Sequence, residues 1–405
     1  MKLTAPDKYS NAVVEVPTSK SIANRLLIIQ ALAGSGLISD LSEAKDTQIL
    51  KELTRSLPPV LDVGHAGTTF RFLTSFLALQ QGTFVLTGST RMRERPISVL
   101  VDALKELGAN ITYIDKKGFP PLKIIGAELL GREINVKANI SSQFITALML
   151  IGPYLESGLT IKLEGKMVSF PYISMTASLM ESCGLPISIH GNQIMVPEGK
   201  YNFRSIKVEK DWSAIAFWYE YVAVGKIPHI LIKEVSKHSI QGDSKVREVF
   251  EKLGVESSFD HLGLHLSFNE GKVATKRLNF DLIQTPDLAQ PLVVACVAQG
   301  HQAIITGLST LKNKETDRGK ALKVELAKLG IDIKVGEDFI ELPGGDVKVK
   351  PTIRINTYED HRMAMAFAPL VLMTKILEID HPDVVEKSYP HFWKQLSGTG
   401  IWHKY

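Results

Sequence analysis

The chain has 405 residues, 44% of them hydrophobic and 22% charged, which is long for a single core and ordinary for a globular enzyme. Its 47 Lys and Arg against 43 Asp and Glu leave a formal charge of only +4, and the cations alternate with acids rather than aromatics, which argues against a nucleic-acid groove. Two cysteines, Cys183 and Cys296, make no disulfide framework, the first residues carry no apolar leader, and no apolar run reaches the ~18 residues of a membrane span, so a cytoplasmic protein is expected.

Taken in order, the first element is a strand over 12–16, stopped by Pro17, and Ser19 is a natural cap for the apolar-periodic helix that follows. Lys20 and Ser21 fall in its first turn, where free N–H groups and the macrodipole favour an anion, and Arg25, four residues after Ser21, can face the same way as Ser21. A cation there opposes the dipole unless it holds something negative. A bound anion is one reading, and a solvated surface helix is the other. At 64–71 two glycines, Gly64 and Gly67, permit close backbone approach, and Arg71 follows Gly67 by the same four residues that separate Ser21 from Arg25. Arg91, Arg93 and Arg95 surround Glu94 in a segment expected to be irregular, ahead of Pro96 and a helix over 97–107. They either enter a cleft or pair among themselves on the surface. Ser141, Ser142 and Gln143 open an apolar helix over 144–155, as neutral donors for phosphate or hydroxyl oxygens or as simple caps. Ser169 precedes the helix that ends near Cys183.

Asp287 is a lone carboxylate ahead of an apolar helix over 288–298, where it is either a cap or a general base. The densest cluster holds Lys314, Glu315 and Arg318. The spacing sets Lys314 and Arg318 four apart on a helix expected to run to Leu329, and a surface ion-pair helix is the plain alternative. His361 and Arg362 follow Asp360 at the head of an apolar helix over 363–373, and Lys387 precedes Ser388-Tyr389-Pro390. No His-Glu-x-x-His spacing accompanies His361, and neither nucleotide-binding glycine loop is present, so neither a metal nor a nucleotide is expected.

A repeat runs through these segments. Gly108, Gly184, Gly254, Gly330 and Gly400 each end an apolar helix before a β-branched stretch, at nearly regular intervals, and 47–57 looks like a degenerate copy without the glycine. The pattern predicts duplicated helix-and-strand modules building two similar domains.

Each cluster alone has a bland explanation, but anion-friendly helix starts spread over almost the whole chain do not. Together, Pro-Thr-Ser-Lys-Ser-x-x-Asn-Arg (17–25), Ala-Gly-Thr-x-x-Arg-Phe-Leu (66–73), Arg-Met-Arg-Glu-Arg-Pro (91–96), Ser-Ser-Gln (141–143), Pro-Asp (286–287), Lys-Glu-Thr-Asp-Arg (314–318), Asp-His-Arg-Met-Ala-Met-Ala-Phe (360–367) and Lys-Ser-Tyr-Pro (387–390) resemble the 5-enolpyruvylshikimate-3-phosphate synthase family, in the family's order and over essentially the full length. The resemblance implies an α/β (α+β) fold of two similar domains, each of three βαβαββ repeats in an inside-out α/β barrel, with a cleft between them. It divides the chain into 1–18 with 211–405, and 19–210. It implies transfer of the enolpyruvyl group of phosphoenolpyruvate to the 5-hydroxyl of shikimate 3-phosphate, with release of phosphate. Neither metal nor redox cofactor, neither nucleic acid nor membrane, is implied, and the expected state is a monomer.

Carried over by position, the resemblance gives shikimate 3-phosphate to Lys20, Ser21, Arg25, Ser141, Ser142, Gln143, Ser169, Asp287 and Lys314, with Tyr172 a weaker candidate. It gives phosphoenolpyruvate to Lys20, Gly67, Arg95, Gln143, Arg318, His361, Arg362 and Lys387. Asp287 would take the hydroxyl proton, and Glu315, with Lys20, would manage the proton at the methylene carbon. Three positions depart from the family pattern: Thr18 replaces a Gly, His65 an Asn, and Thr310 stands where an Asn often helps hold shikimate 3-phosphate. The small residue at Gly67 implies sensitivity to glyphosate. Two other readings are weighed: a UDP-N-acetylglucosamine enolpyruvyl transferase, whose loop cysteine neither Cys183 nor Cys296 suits, and a non-catalytic polyanion-binding repeat protein.

Overall fold

The computed structural model describes residues 1–6, 11–138, 141–274, 277–347 and 352–404. They form two compact units, Met1–Ser19 with Glu209–Tyr405, and Lys20–Val208. Ser19, Glu209 and Lys210 fall in the first unit rather than in an expected 19–210 domain, and the reason is local. The Ser19 N–H donates to the Glu209 carbonyl at 2.8 Å, the Asp211 N–H donates to the Pro17 carbonyl at 2.9 Å, and Thr18 bridges Lys210. The two stretches of chain that lead between the units are therefore tied to each other.

In the second unit, strand Val60–Asp62 runs parallel to Thr83–Thr87, which pairs antiparallel with Leu122–Ile125, which pairs antiparallel with Asn110–Tyr113. Helix Gly67–Ala78 links the first two strands and helix Ser98–Glu106 leads into the hairpin. The order is strand, helix, strand, helix, strand, strand. It recurs in the same unit with strands Glu133–Lys137, Leu159–Glu164, Ser188–His190 and Gln193–Val196, and helices Ser142–Ile151 and Phe170–Ser182. In the first unit it recurs with strands Leu278–Asp281, Gln302–Thr306, Lys334–Val335 and Phe339–Pro343, and helices Ala289–Ala298 and Arg318–Ala327. A further sheet is completed by the start of the chain: Lys2–Thr4 lies between Ile376–Ile379 and Trp402–Lys404, antiparallel to both.

The glycines that marked the repeat do the same job in each copy. Gly108, Gly184, Gly254, Gly330 and Gly400 all take positive φ, from 79° to 99°. That conformation ends a helix without a Cβ clash. Helix Lys45–Ser56 is the copy without glycine, and Leu57 there takes the left-handed conformation itself, φ 41° and ψ 57°.

Several helices are too apolar for a surface. Trp212–Gly225 buries Trp212, Trp218, Tyr219 and Tyr221 on several faces, and Ala289–Ala298 is buried from Ala289 through Val297. A helix apolar all round belongs in an interior. The strands instead alternate exposed and buried residues, as in Glu133–Lys137. Helices therefore fill each unit and sheets form its wall, the inside-out α/β arrangement.

Several helices depart from the expected spans. Apolar stretches break at prolines, which lack the N–H of the helical ladder. The 363–373 stretch is helix His361–Phe367, a 3-10 turn Ala368–Leu370 around Pro369, and Val371–Thr374. The 144–155 stretch is Ser142–Ile151 and then a 3-10 turn, Gly152–Tyr154, around Pro153. The arginine segment is partly ordered, with one helical turn, Thr90–Arg93, capped by Ser89 Oγ accepting from the Met92 N–H at 3.2 Å.

Candidate active site

The second unit carries Lys20, Ser21, Arg25, Gly67, Arg95, Ser141, Ser142, Gln143, Ser169 and Tyr172. Lys20 begins helix Lys20–Ala33, and its Nζ donates to Asp46 Oδ2 at 3.1 Å. Arg25 is 3% exposed. Its described hydrogen bonds all go to neutral oxygens: Nε to Thr176 Oγ1 at 2.8 Å, Nη1 to the Ser21 carbonyl at 2.7 Å, and Nη2 to the Tyr172 carbonyl at 3.3 Å and Thr146 Oγ1 at 3.4 Å. Burial draws its pKa down to about 10, which leaves the guanidinium charged at neutral pH. A buried cation held by hydroxyls and carbonyls keeps its charge for an anion.

The spacing shared by Ser21–Arg25 and Gly67–Arg71 has one structural meaning. Arg71 Nη1 donates to the Gly67 carbonyl at 2.8 Å, as Arg25 does to Ser21. Gly67 opens helix Gly67–Ala78, and a Cβ placed on it would lie 2.4 Å from Arg95 Nη1. The buried Arg95 therefore rests against a bare backbone. Ser141 caps helix Ser142–Ile151 by accepting from the Gln143 N–H at 3.3 Å, and Gln143 Nε2 donates to Thr68 Oγ1 at 3.1 Å. That bond ties two helix starts together. Ser169, 6% exposed, stands in left-handed conformation at φ 57° before helix Phe170–Ser182.

In the first unit the sequence clusters meet on Asp287. Its Oδ1 accepts from Lys314 Nζ at 3.2 Å and Arg318 Nη1 at 3.0 Å, and its Oδ2 accepts from Arg362 Nη2 at 3.1 Å. Arg362 Nη1 also donates to the Asp287 carbonyl at 2.9 Å. Asp287 is thus no helix cap. Glu315 accepts from Arg318 Nη2 at 3.0 Å and from Lys387 Nζ at 2.8 Å. Arg318 is 1% exposed and is completed by Asp360, whose Oδ2 accepts from Nε at 2.8 Å. Asp360 also caps the last helix of the site through the Arg362 N–H, and His361 Nδ1 lies 3.6 Å from its carboxylate.

Burial alone would raise the pKa of Asp287, but Arg362, Lys314 and Arg318 outweigh it and hold the carboxyl well below its ordinary range. Burial is the largest influence on Lys314 and lowers its pKa, against the pull of Asp287. Lys314 is not on a helix with Arg318, as expected from the spacing. It is extended, at ψ −160°, and the helix begins at Arg318 because Asp317 caps it, accepting from the Lys320 N–H at 3.2 Å. The two cations reach one carboxylate from different backbone.

Two participants were not singled out by the sequence, Asp46 and Asp243, and Thr68 stood there only as a helix cap. Asp243, 3% exposed, accepts from the Ser213 hydroxyl, and burial together with the charge of Asp287 pushes its pKa up to about 6. Of the departing positions, Thr18 makes the bridge to Lys210, His65 Nδ1 lies 3.1 Å from Ser89 Oγ, and the Thr310 hydroxyl is buried. Among the described residues no group of His, Cys, Asp and Glu is arranged to hold a metal, and no helix is long and apolar enough to cross a membrane. Chemically, one unit offers oriented cations and neutral donors, and the other offers an ionised carboxylate among cations beside a second carboxylate. Such sets bind anions and move protons.

A family model described as EPSP synthase (3-phosphoshikimate 1-carboxyvinyltransferase) matches residues 51–396. Proteins from two strains of Bacteroides fragilis, both named 3-phosphoshikimate 1-carboxyvinyltransferase, are 44% identical over 402 residues, covering 98% of this chain and 97% of theirs. One of the same name from Sulfurovum is 33% identical over 423 residues, 96% of this chain and 97% of its own. A solved EPSP synthase from Acinetobacter baumannii superposes with a TM-score of 0.74 over 99% of both chains, and at 20% identity this speaks for the fold. With the family model covering most of the chain and relatives matching it nearly end to end, the chain belongs to the EPSP synthase family.

Proposed function

We propose that this protein transfers the enolpyruvyl group of phosphoenolpyruvate to the 5-hydroxyl of shikimate 3-phosphate and releases phosphate, a step of the shikimate pathway toward aromatic amino acids. The observation that carries the mechanism is the placement of Asp287 among Lys314, Arg318 and Arg362, with Glu315 between Arg318 and Lys387. A binder of polyanions explains the cations but has no use for two carboxylates among them.

Shikimate 3-phosphate is held by Lys20, Ser21, Arg25, Ser141, Ser142, Gln143, Ser169 and Lys314, with Asp287 on its 5-hydroxyl. Phosphoenolpyruvate is held by Lys20, Gly67, Arg95, Gln143, Arg318, His361, Arg362 and Lys387. The hydroxyl oxygen attacks C2 while Asp287 takes its proton and C3 gains one, giving a tetrahedral intermediate. C3 then loses a proton as the bond to phosphate breaks. Glu315, with Lys20, handles the proton at C3. The low pKa of Asp287 makes it a weak base while three cations hold it. As substrate phosphate and carboxylate groups draw on Lys314, Arg318 and Arg362, that hold weakens and the basicity of Asp287 rises. The reaction needs no redox or metal cofactor. The reading places the enzyme in the cytoplasm as a monomer acting on two small anions, without nucleic acid or membrane, and gives it sensitivity to glyphosate through the bare Gly67.

The sister transfer to a UDP-amino sugar is disfavoured by the cysteines. Cys183 and Cys296 are both buried, and burial raises both thiols, Cys183 to about 11, away from a reactive thiolate. The deciding measurement is phosphate release from phosphoenolpyruvate in chelator-treated buffer. Release that requires shikimate 3-phosphate and falls roughly a thousandfold in Lys20→Ala is expected. Release with a UDP-amino sugar instead would move the enzyme to the sister reaction, and silence with both would leave a binding protein. An undiminished rate at high glyphosate would remove the inhibitor assignment alone.

A further inference from the structure

The backbone just before His361 and Arg362 is strained. Thr357–Asp360 forms a turn closed by the Asp360 N–H donating to the Thr357 carbonyl at 2.9 Å. Its central residues, Tyr358 and Glu359, both have positive φ, 54° and 56°. Two successive left-handed residues suit Asn and Gly, and side chains with a bulky Cβ resist that conformation. Such strain persists only where surrounding bonds over-determine it, and it gathers at functional sites.

Two of the anchors on this segment come from one carboxylate. The Tyr358 hydroxyl donates to Glu325 Oε1 at 2.6 Å, and Glu325 Oε2 accepts from the Asn356 N–H at 3.1 Å and from Lys328. Glu325 is fully buried and belongs to helix Arg318–Ala327, whose first residue is itself in the site. The residue before the turn and a residue within it are thus pinned to the element that carries Arg318. The residue after Glu359 is Asp360, which receives Arg318 Nε and the Arg362 N–H, and Arg362 then reaches Asp287.

We infer that Tyr358, acting through Glu325, is a positioning residue: its hydroxyl holds a strained turn that aims Asp360 and Arg362. The inference rests on the reading of Arg362 as a phosphoenolpyruvate ligand. Neither Tyr358 nor Glu325 bonds to Asp287, Arg318 or Arg362 in the described contacts, so the effect passes through backbone.

The test compares wild type, Tyr358→Phe, Glu359→Gly and the double variant by phosphate release, varying one substrate at a time. Y358F raises KM for phosphoenolpyruvate about tenfold, the loss of one charge-assisted bond, and moves KM for shikimate 3-phosphate less than about twofold. Glycine accepts the left-handed conformation unaided, so E359G in the Y358F background brings KM back toward its value in E359G alone. Unchanged KM values in Y358F, equal rises in both, or a double variant as impaired as Y358F would each overturn the clamp. A wild type without shikimate-3-phosphate-dependent release sinks the functional reading instead. The clamp is then read from thermal melting of the same four proteins: Y358F costs less stability in the E359G background, and additive losses overturn it. Should Y358F fail to fold, restoration by E359G supports the clamp and continued failure overturns it.

Discussion

Gly67 shows how one missing carbon shapes a site. A Cβ there meets the Arg95 guanidinium at 2.4 to 2.8 Å, so Gly67→Ala has to push Arg95 aside. The expected outcome is a KM for phosphoenolpyruvate raised about tenfold, with the melting temperature unchanged, because the strain falls on a flexible side chain rather than on the core. Glu220 is the opposite case, a carboxyl outside the site. It is fully buried on helix Trp212–Gly225, neither oxygen has a hydrogen-bond partner among the described residues, and burial raises its pKa well above 4.5. Below pH 4.5 the group is neutral folded and unfolded alike and costs nothing by ionisation. As pH rises past 4.5 only the unfolded chain ionises, so the protein loses stability up to the folded pKa. Glu220→Gln therefore melts at a higher temperature than wild type at pH 8 and at nearly the same temperature at pH 4, with kcat unaltered; calorimetry at the two values checks this. Glu315, Arg318 and Arg362 stood out in the sequence because each sits in a dense charged string, whereas Asp287 is a lone carboxylate that only the family resemblance singled out from a helix cap. The sequence did not reveal Asp46 or Asp243. Asp46 matters through Lys20, 26 residues away, and Asp243 through Ser213 and Asp287, while their neighbours read as ordinary polar surface.

At the scale of elements, the helix-ending glycine was the most legible feature, since a left-handed cap imposes a chemical requirement on one position. Gly108 isolates that requirement. At φ 99° a Cβ would meet nothing nearer than the Glu128 carbonyl at 3.7 Å, so Gly108→Ala is penalised by backbone conformation alone. A loss of about 1 kcal/mol in urea unfolding is expected, with activity retained. Leu57 takes the same conformation while bearing a side chain packed on the core of its unit. Helix ends governed by proline or by a capping side chain were harder to place. The spacing of Lys314 and Arg318 suggested one helix, and only the capping bond of Asp317 shows that the chain turns helical at Arg318. Periodicity records which residues are apolar, not where the hydrogen-bond ladder starts.

For the whole molecule, the repeated strand–helix–strand–helix–hairpin order explains why such an even composition specifies a fold with buried helices and sheeted walls. The modules were visible from their glycines. The sheet pairing that joins the first strand to the last two was not, because nothing local in Lys2–Thr4 names a partner more than 370 residues away. That pairing also sets a timetable for synthesis. The second unit is one uninterrupted stretch, Lys20–Val208, and can fold as soon as it has left the ribosome. The first unit has its opening strand in hand from the beginning and must hold it unpaired until Ile376–Ile379 and Trp402–Lys404 are made. Ribosome-stalled chains released from the tunnel to about residue 230 should therefore resist protease over the second unit and be cut at Lys2–Thr4, a strand that becomes protected only once Ile376–Ile379 and Trp402–Lys404 have emerged.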